Sequence, residues 1–288
     1  MLKLGMPTLL ELPEPEESAG FCAELGLDFL ELNMNLPGCQ LPALEPDRLR
    51  RLKEQWGIGL TIHLDETLNF CDFNPYLAQA ACRTVRETLA LAVRLEIPVV
   101  NLHLPAGVFF TLPQGKVWLF ERYRDHYLRQ MEEFARLCGE FDGSGVTVCV
   151  ENCGGFPKFQ REALELLLES PVFGLTFDAG HDARADGADR EFLRRHEGRI
   201  CHLHLHDAAG TQDHLALGDG EADLSGALAL ADPAGLPGGG GGQDSGGACP
   251  VAGLAPPADK RRLTRAGQVS RHGFFENPGM ALPYPGQR

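Results

Sequence analysis

Seven of the ten histidines, His63, His103, His181, His202, His204, His206 and His214, fall at or just after the ends of short apolar runs. Acidic residues occupy the same kind of position: Glu31 in DFLELNM, Glu151 in VTVCVEN and Asp178 in VFGLTFD. Imidazole and carboxylate groups together bind borderline divalent ions such as Zn, Mn or Co. Ionised carboxylates brought together repel one another and lose hydration, and a divalent cation relieves both penalties. Any one of these histidines alone reads as a hydrogen-bonded core residue. The ensemble reads as a metal site. A lone HxH, as at His202 and His204, says little, and the DAGH turn from Asp178 to His181 says more. The combination E…DxxH…HLHD…DHxxxGxG, spaced at one βα unit, is the specific signal. Gly218 and Gly220 in LGDG read as an ordinary turn, because two glycines do not make a phosphate loop.

Such residues must be positioned by strands. The candidates are LKLGM (2–6), DFLELNM (28–34), GLTIHL (59–64), PVVNLHL (98–104), VTVCVEN (146–152), VFGLTFD (172–178) and ICHLHLHD (200–207). Helical spacing of apolar residues appears between them, near 15–25, 46–56, 75–95, 118–140, 160–169 and 188–196. Side chains alternate along a strand. In ICHLHLHD this puts His202, His204 and His206 on one face and Cys201, Leu203 and Leu205 on the other. The same alternation turns Glu151 inward with Thr147 and Cys149, His63 with Thr61, His103 with Asn101, and Glu31 with Asn33. Seven βα units fit a doubly wound sheet or an eight-stranded barrel. Polar residues at the C-terminal end of nearly every strand favour the (β/α)8 TIM barrel.

Beyond GALALA (226–231) the pattern stops. The stretch that should hold an eighth strand reads PGGGGGQDSGG, and glycine and proline weaken or break strands. We therefore expect a barrel over residues 1–231, with the eighth strand missing or replaced by an aberrant Gly/Pro-rich tail over 232–288. The tail reads either as a disordered segment or as a frameshifted or rearranged reading frame, and the abrupt switch inside a βα unit favours the latter.

The formal net charge of −14 argues against a nucleic-acid partner, whose phosphates call for clustered Lys and Arg. The nine cysteines form no CxxC pair and read as reduced thiols of a cytoplasmic protein. The N-terminus carries acids early, unlike a signal peptide. No run approaches the ~18 apolar residues needed to cross a membrane. A homo-oligomer is left open.

At the residues of the E…DxxH…HLHD…DHxxxGxG pattern, the chain resembles the xylose-isomerase-like TIM-barrel superfamily. That group holds sugar isomerases, sugar-phosphate isomerase/epimerases and endonuclease-IV-like DNA-repair nucleases. The resemblance covers residues 1 to about 230. It implies metal ligation by Glu151 on strand five, by Asp178 on strand six with His181 as its companion, and by His204 on strand seven. It also calls for a strand-eight Glu, for which this sequence has no credible counterpart. In the sugar enzymes of the group, the strand-five Glu moves a proton beside a metal-polarised carbonyl, which makes Glu151 the implied catalytic residue. The nuclease branch adds ligands that His63, His103 and His214 resemble. It places an Asp two residues before the last of these, where Gln212 stands, with Asp213 next to the His instead. The implied cofactor is a divalent ion (Zn, Mn, Co or Mg, one to three per chain).

The expected function is a metal-dependent isomerase or epimerase of a sugar, sugar phosphate or related polyol. Glu31, Asn33, His206 and Lys158 are candidates for contact with this carbohydrate-like substrate; Lys158 and Arg161, in the loop after strand five, could meet a phosphate but read better as solvated surface. The alternatives are a zinc phosphodiesterase or apurinic-site endonuclease, and a truncated, catalytically impaired member of the superfamily.

Overall fold

A computed structural model of the protein describes residues 3–231. Its frame alternates strands and helices: β1 (Gly5–Pro7), α1 (Pro15–Glu24), β2 (Phe29–Asn33), α2 (Pro46–Trp56), β3 (Gly59–His63), α3 (Pro75–Leu95) and β4 (Val99–His103). A hairpin of β5 (Phe109–Leu112) and β6 (Gly115–Trp118) follows, then α4 (Leu119–Arg122) and α5 (Arg124–Gly139). The frame resumes with β7 (Thr147–Glu151), α6 (Lys158–Leu167), β8 (Phe173–Asp178), α7 (Ala179–Arg184), α8 (Arg190–Arg195) and β9 (Ile200–His204). A second hairpin, β10 (Asp207–Ala209) with β11 (Gln212–Leu215), leads to α9 (Leu224–Ala231).

The helix starts follow from local chemistry. Pro15, Pro46 and Pro75 open α1, α2 and α3, where a missing N–H costs nothing and φ is already suitable. The Asn74 side chain caps α3 by accepting from the Tyr76 N–H at 3.1 Å. The Asp178 carboxylate caps α7 by accepting from the His181 N–H at 2.7 Å, so the DAGH turn is also a helix N-cap.

Seven strands pair in parallel in the order β1-β2-β3-β4-β7-β8-β9. The sheet curls into a barrel without its final strand: among the described residues none pairs with the outer edges of β1 and β9. The expected tail, residues 232–288, lies outside the described residues. The outward faces of the strands, including Leu60, Ile62, Val148, Val150 and Leu203, are buried with the helices in one core. No described helix is long and apolar enough to cross a membrane.

Alternation fails in one place. The β8–β9 register jumps from Leu175↔Ile200 to Thr176↔His202, leaving Cys201 as an extra, bulged residue. Cys201 was expected on the helix side with Leu203. It packs instead with Val99 and Cys149 and lies close against Gly174, where an added Cβ would sit 2.9 Å from its sulfur. The bulge lets His202 and His204 keep the inward face. Strand β9 also ends at His204, so His206 belongs to the turn beyond it rather than to the strand. The expected helix over 118–140 is broken at Tyr123, whose φ of −111° and ψ of 46° separate α4 from α5.

Candidate metal centre

Each parallel strand from β3 onward ends on a polar residue: His63, His103, Glu151, Asp178 and His204 are the last residues of β3, β4, β7, β8 and β9. Parallel register puts these ends side by side, with His103 opposite Glu151 and Asp178 opposite His204. Glu151 is the hub. Its Oε2 lies 3.3 Å from His63 Nε2, 3.1 Å from His103 Nε2 and 3.1 Å from His204 Nδ1, and its Oε1 lies 3.4 Å from His181 Nδ1. Asp178 Oδ2 is 3.8 Å from His204 Nδ1.

Hydrogen bonds outside this ring decide which atoms face inward. His63 Nδ1 donates to the Leu64 carbonyl at 2.8 Å, which leaves Nε2 for Glu151. His181 Nδ1 donates to the Asn152 carbonyl at 3.1 Å, so its Nε2 is presented toward Asp213. His206 Nδ1 accepts from the His214 N–H at 2.9 Å, and its Nε2 donates to Asp178. The ring of His206 stacks on that of His214 at 4.1 Å. The approach needs glycine at position 180, because a Cβ there would lie 2.1 Å from the His206 ring. Asn101 donates to Glu151 and accepts from Thr176 Oγ at 2.6 Å. The Asn152 amide pairs with the Asp178 backbone in both senses, accepting at 2.8 Å and donating at 2.9 Å.

Four donor sets result among the described residues, each with ligand atoms within 4.8 Å of one another: His63, His103 and Glu151; Glu151, Asp178 and His204; His181, His206 and His214; and Glu31, His202 and His204. The sets around Glu151 fit a divalent cation, whereas both ring nitrogens of His206 are already taken, by the His214 N–H and by Asp178. Two ligands each ~2.1 Å from one tetrahedral cation must lie roughly 3.4 Å apart, the separation seen around Glu151. His103 Nε2 is buried and close to a carboxylate oxygen, yet makes no hydrogen bond of proper geometry. Such a contact suits two ligands of one cation better than a donor and its acceptor.

The charges agree. Burial would raise the Glu151 carboxyl, but His204, His103 and His181 hold it well below the ordinary range. Burial would likewise raise Asp178, yet His181 and His206 bring it down to about 2. Burial would lower His181, but Asp178 and Glu151 lift it to about 9.

A family model described as xylose isomerase-like TIM barrel matches residues 19–238. The chain belongs to this family. No curated protein matches it. Among solved structures it resembles a D-tagatose 3-epimerase-like protein at 22% identity and a TM-score of 0.64, over 81% of this chain and 86% of that one. It resembles 3-keto-D-glucoside 4-epimerase from E. coli at 13% identity and a TM-score of 0.63, over 81% and 88%. An L-ribulose 3-epimerase matches at 16% identity and a TM-score of 0.60, over 81% and 78%. At these identities the likenesses speak to the fold alone.

Within this family barrel, the structure brings together Glu151, Asp178, His63, His103, His181, His204 and His214, with Glu31 and His206 beside them. Asn33 ends β2 but turns to its own loop, accepting from the Asn35 N–H at 2.9 Å. Lys158 is exposed at the start of α6. Arg161 binds the Phe156 and Ala188 carbonyls and Asp189, a loop-fixing role. Gly218 and Gly220 serve a turn around Asp207, which accepts from the N–H groups of Ala208, Gly218 and Ala222. Sequence reading missed Asn152 and Arg184. Asn152 follows an inward residue, so alternation sends it outward and hides its grip on Asp178. Arg184 pairs with Asp213, next to His181 and His214.

Proposed function

We propose that the chain is a divalent-metal-dependent isomerase or epimerase of a sugar, sugar phosphate or related polyol. The observation that carries this reading is the convergence of Glu151, Asp178 and His204 at the mouth of a barrel of this family. The solved neighbours named as sugar epimerases support the substrate class. A bound divalent cation would polarise the carbonyl and hydroxyl oxygens of a sugar.

The residues of the chain supply the rest. Glu151, Asp178 and His204 would hold the cation, with His63 and His103 completing the set around Glu151. Glu151, held ionised, would take a proton from the carbon beside the polarised carbonyl and return it. A single base working on one face can hand the proton to the neighbouring carbon, which is isomerisation. Inversion at one carbon calls for a second acid–base group on the opposite face. Glu151 is the residue that the family resemblance assigns to the first of these roles.

The alternative, a zinc phosphodiesterase or apurinic-site endonuclease, draws support from the donor sets that include His63, His103 and His214. Two features weigh against it. The net charge is −14, and the Arg184 guanidinium already neutralises Asp213 beside the His181 and His214 set, where a third cation would meet repulsion. The deciding experiment incubates cobalt- or manganese-loaded protein with a panel of aldoses, ketoses and their phosphates in D2O. Deuterium entering at the carbon next to the carbonyl supports the reading. No exchange across the panel, together with phosphodiester cleavage, favours the alternative. Neither activity points to an impaired member of the family.

A further inference from the structure

Glu31 has no part in the chemistry above, yet it is a carboxylate only 6% exposed in the barrel interior. It belongs to β2 and reaches His202 and His204 of β9 on the side where the described sheet is open. Its Oε1 lies 3.0 Å from His204 Nε2. Its Oε2 is hydrogen-bonded by His202 Nε2 at 3.0 Å and by Thr61 Oγ at 3.2 Å. The other nitrogen of His204, Nδ1, faces Glu151 at 3.1 Å and Asp178 at 3.8 Å. The imidazole therefore stands between two acidic groups, one nitrogen to each.

We infer that Glu31 is the positioning residue for His204, accepting its Nε2–H so that Nδ1 is presented to the cation shared with Glu151 and Asp178. A histidine ligand generally donates its second N–H to a carboxylate or carbonyl, which fixes the tautomer, sets the ring plane and strengthens the ligating nitrogen. His63 and His181 spend their second nitrogens on the Leu64 and Asn152 carbonyls. His204 is offered a carboxylate instead. The Glu31–His204 contact is close without being in line, as catalytic contacts commonly are before the ligand is seated. His202 and Thr61 give Glu31 its own support and prevent rotation toward the mouth. A cation between Glu31, His202 and His204 would be the competing arrangement. It would have to break the Glu31–His202 hydrogen bond, which favours the positioning role.

This inference rests on the proposed metal site, so the test separates the two. Cobalt(II) is titrated into the wild-type protein and Glu31→Gln, following visible absorption and binding heat, with melting of the cation-free forms as the folding control. Weakening of cobalt affinity by about 10- to 100-fold, with an altered cobalt spectrum and the same stoichiometry, is expected. Unchanged affinity and spectrum in Glu31→Gln overturns the inference and leaves the metal site standing. Loss of one bound ion with the remaining affinity intact overturns it in favour of a cation at Glu31. A wild-type protein that binds no cation overturns both. Should Glu31→Gln fail to fold, nitrogen-15 spectra of the zinc-loaded wild-type protein decide: Nδ1 coordination with Nε2 protonated is expected for His204, and Nε2 coordination refutes the inference.

Discussion

Asn152→Ala tests whether the ends of β7 and β8 are locked together by one side chain. Asn152 is fully buried, and its amide accepts from the Asp178 N–H and donates to the Asp178 carbonyl. Truncation leaves both backbone groups without partners inside the barrel wall. An unsatisfied buried polar group costs about 1–3 kcal/mol, so the pair should cost about 3 kcal/mol after partial relaxation. At roughly 2–4 °C per kcal/mol for a chain of this size, the melting temperature should fall by about 6–12 °C. The loss is also specific in place, because Asn152 follows Glu151 and holds the backbone of Asp178. Cation affinity should therefore fall with stability, rather than stability alone. Urea unfolding followed by circular dichroism gives the first quantity as a lower midpoint at unchanged slope. Metal titration in the absence of urea gives the second. Asn152→Asp keeps the acceptor for the Asp178 N–H but loses the donor and adds a charge beside two carboxylates, so it should bind the cation no better than the alanine variant. A midpoint equal to wild type in Asn152→Ala would refute the locking role.

Cation binding at pH 7 should release about one to two protons, because a cation held by His204 displaces the proton on the ligating nitrogen and its charge disfavours the one on His181, which lies 3.4 Å from Glu151. Burial would lower both rings, but the surrounding carboxylates lift His181 to about 9 and His204 well above the ordinary range. Affinity should therefore rise with pH between roughly 6.5 and 9, and calorimetry in buffers of different ionisation heat would read no release if this is wrong. For the cation-free protein the sign reverses: the raised His181 stabilises the fold fully below about 6.5, and that contribution is lost as pH rises toward 9. Gly180→Ala places a Cβ 2.1 Å from the His206 ring, which must move off Asp178. We expect about tenfold weaker cation binding, and equal affinity in a chelator competition would contradict the close-approach argument. Asp207→Ala strips three backbone N–H groups of their acceptor at 2.8–3.0 Å. Hydrogen exchange across 207–222, including His214, should accelerate by an order of magnitude or more; unchanged protection would assign that turn to other contacts.

Strand alternation and the last-residue rule made most of the centre legible. Period-2 patterning in TVCVE, LTIH and VVNLH was enough to turn Glu151, His63 and His103 inward, because these strands are regular. It failed at Cys201, where a bulge adds a residue to one strand only and nothing in ICHLH marks it. The β5–β6 hairpin was missed for a different reason. It is a two-stranded ribbon carrying exposed Phe110 and Leu112, so no buried face imposes a pattern on it. Arg184 escaped notice because its partner Asp213 is 29 positions away in sequence and they meet only once α7 packs on β11. Glu31 was visible as an inward carboxylate. Its hold on His204 was not, since that contact spans 173 positions, between β2 and β9 near the two ends of the described sheet.

The same contacts argue for a site whose shape does not depend on the cation. Glu151, Asp178 and Glu31 are buried carboxylates, and leaving them ionised and unpaired would cost several kcal/mol each. Protonated imidazoles offset that charge when no cation is bound, and a divalent cation replaces two protons with one ion of equal charge. Asn101, Asn152 and Thr176 hydrogen-bond the site's acidic residues or one another, while the Leu64 and Asn152 carbonyls hold imidazoles. One of them, from the Asn101 amide, reaches Glu151 Oε2, the oxygen that faces His63, His103 and His204, and so fixes the central ligand atom itself. The donors are imidazole nitrogen and carboxylate oxygen in mixture, a set that would suit Zn, Mn or Co better than the oxygen-only environment that Mg or Ca prefers. Preorganisation of this kind lowers the cost of binding. It also means that a cation-free crystal and a cation-loaded one should superpose closely at Glu151, Asp178 and His204, with protons rather than backbone positions changing between them.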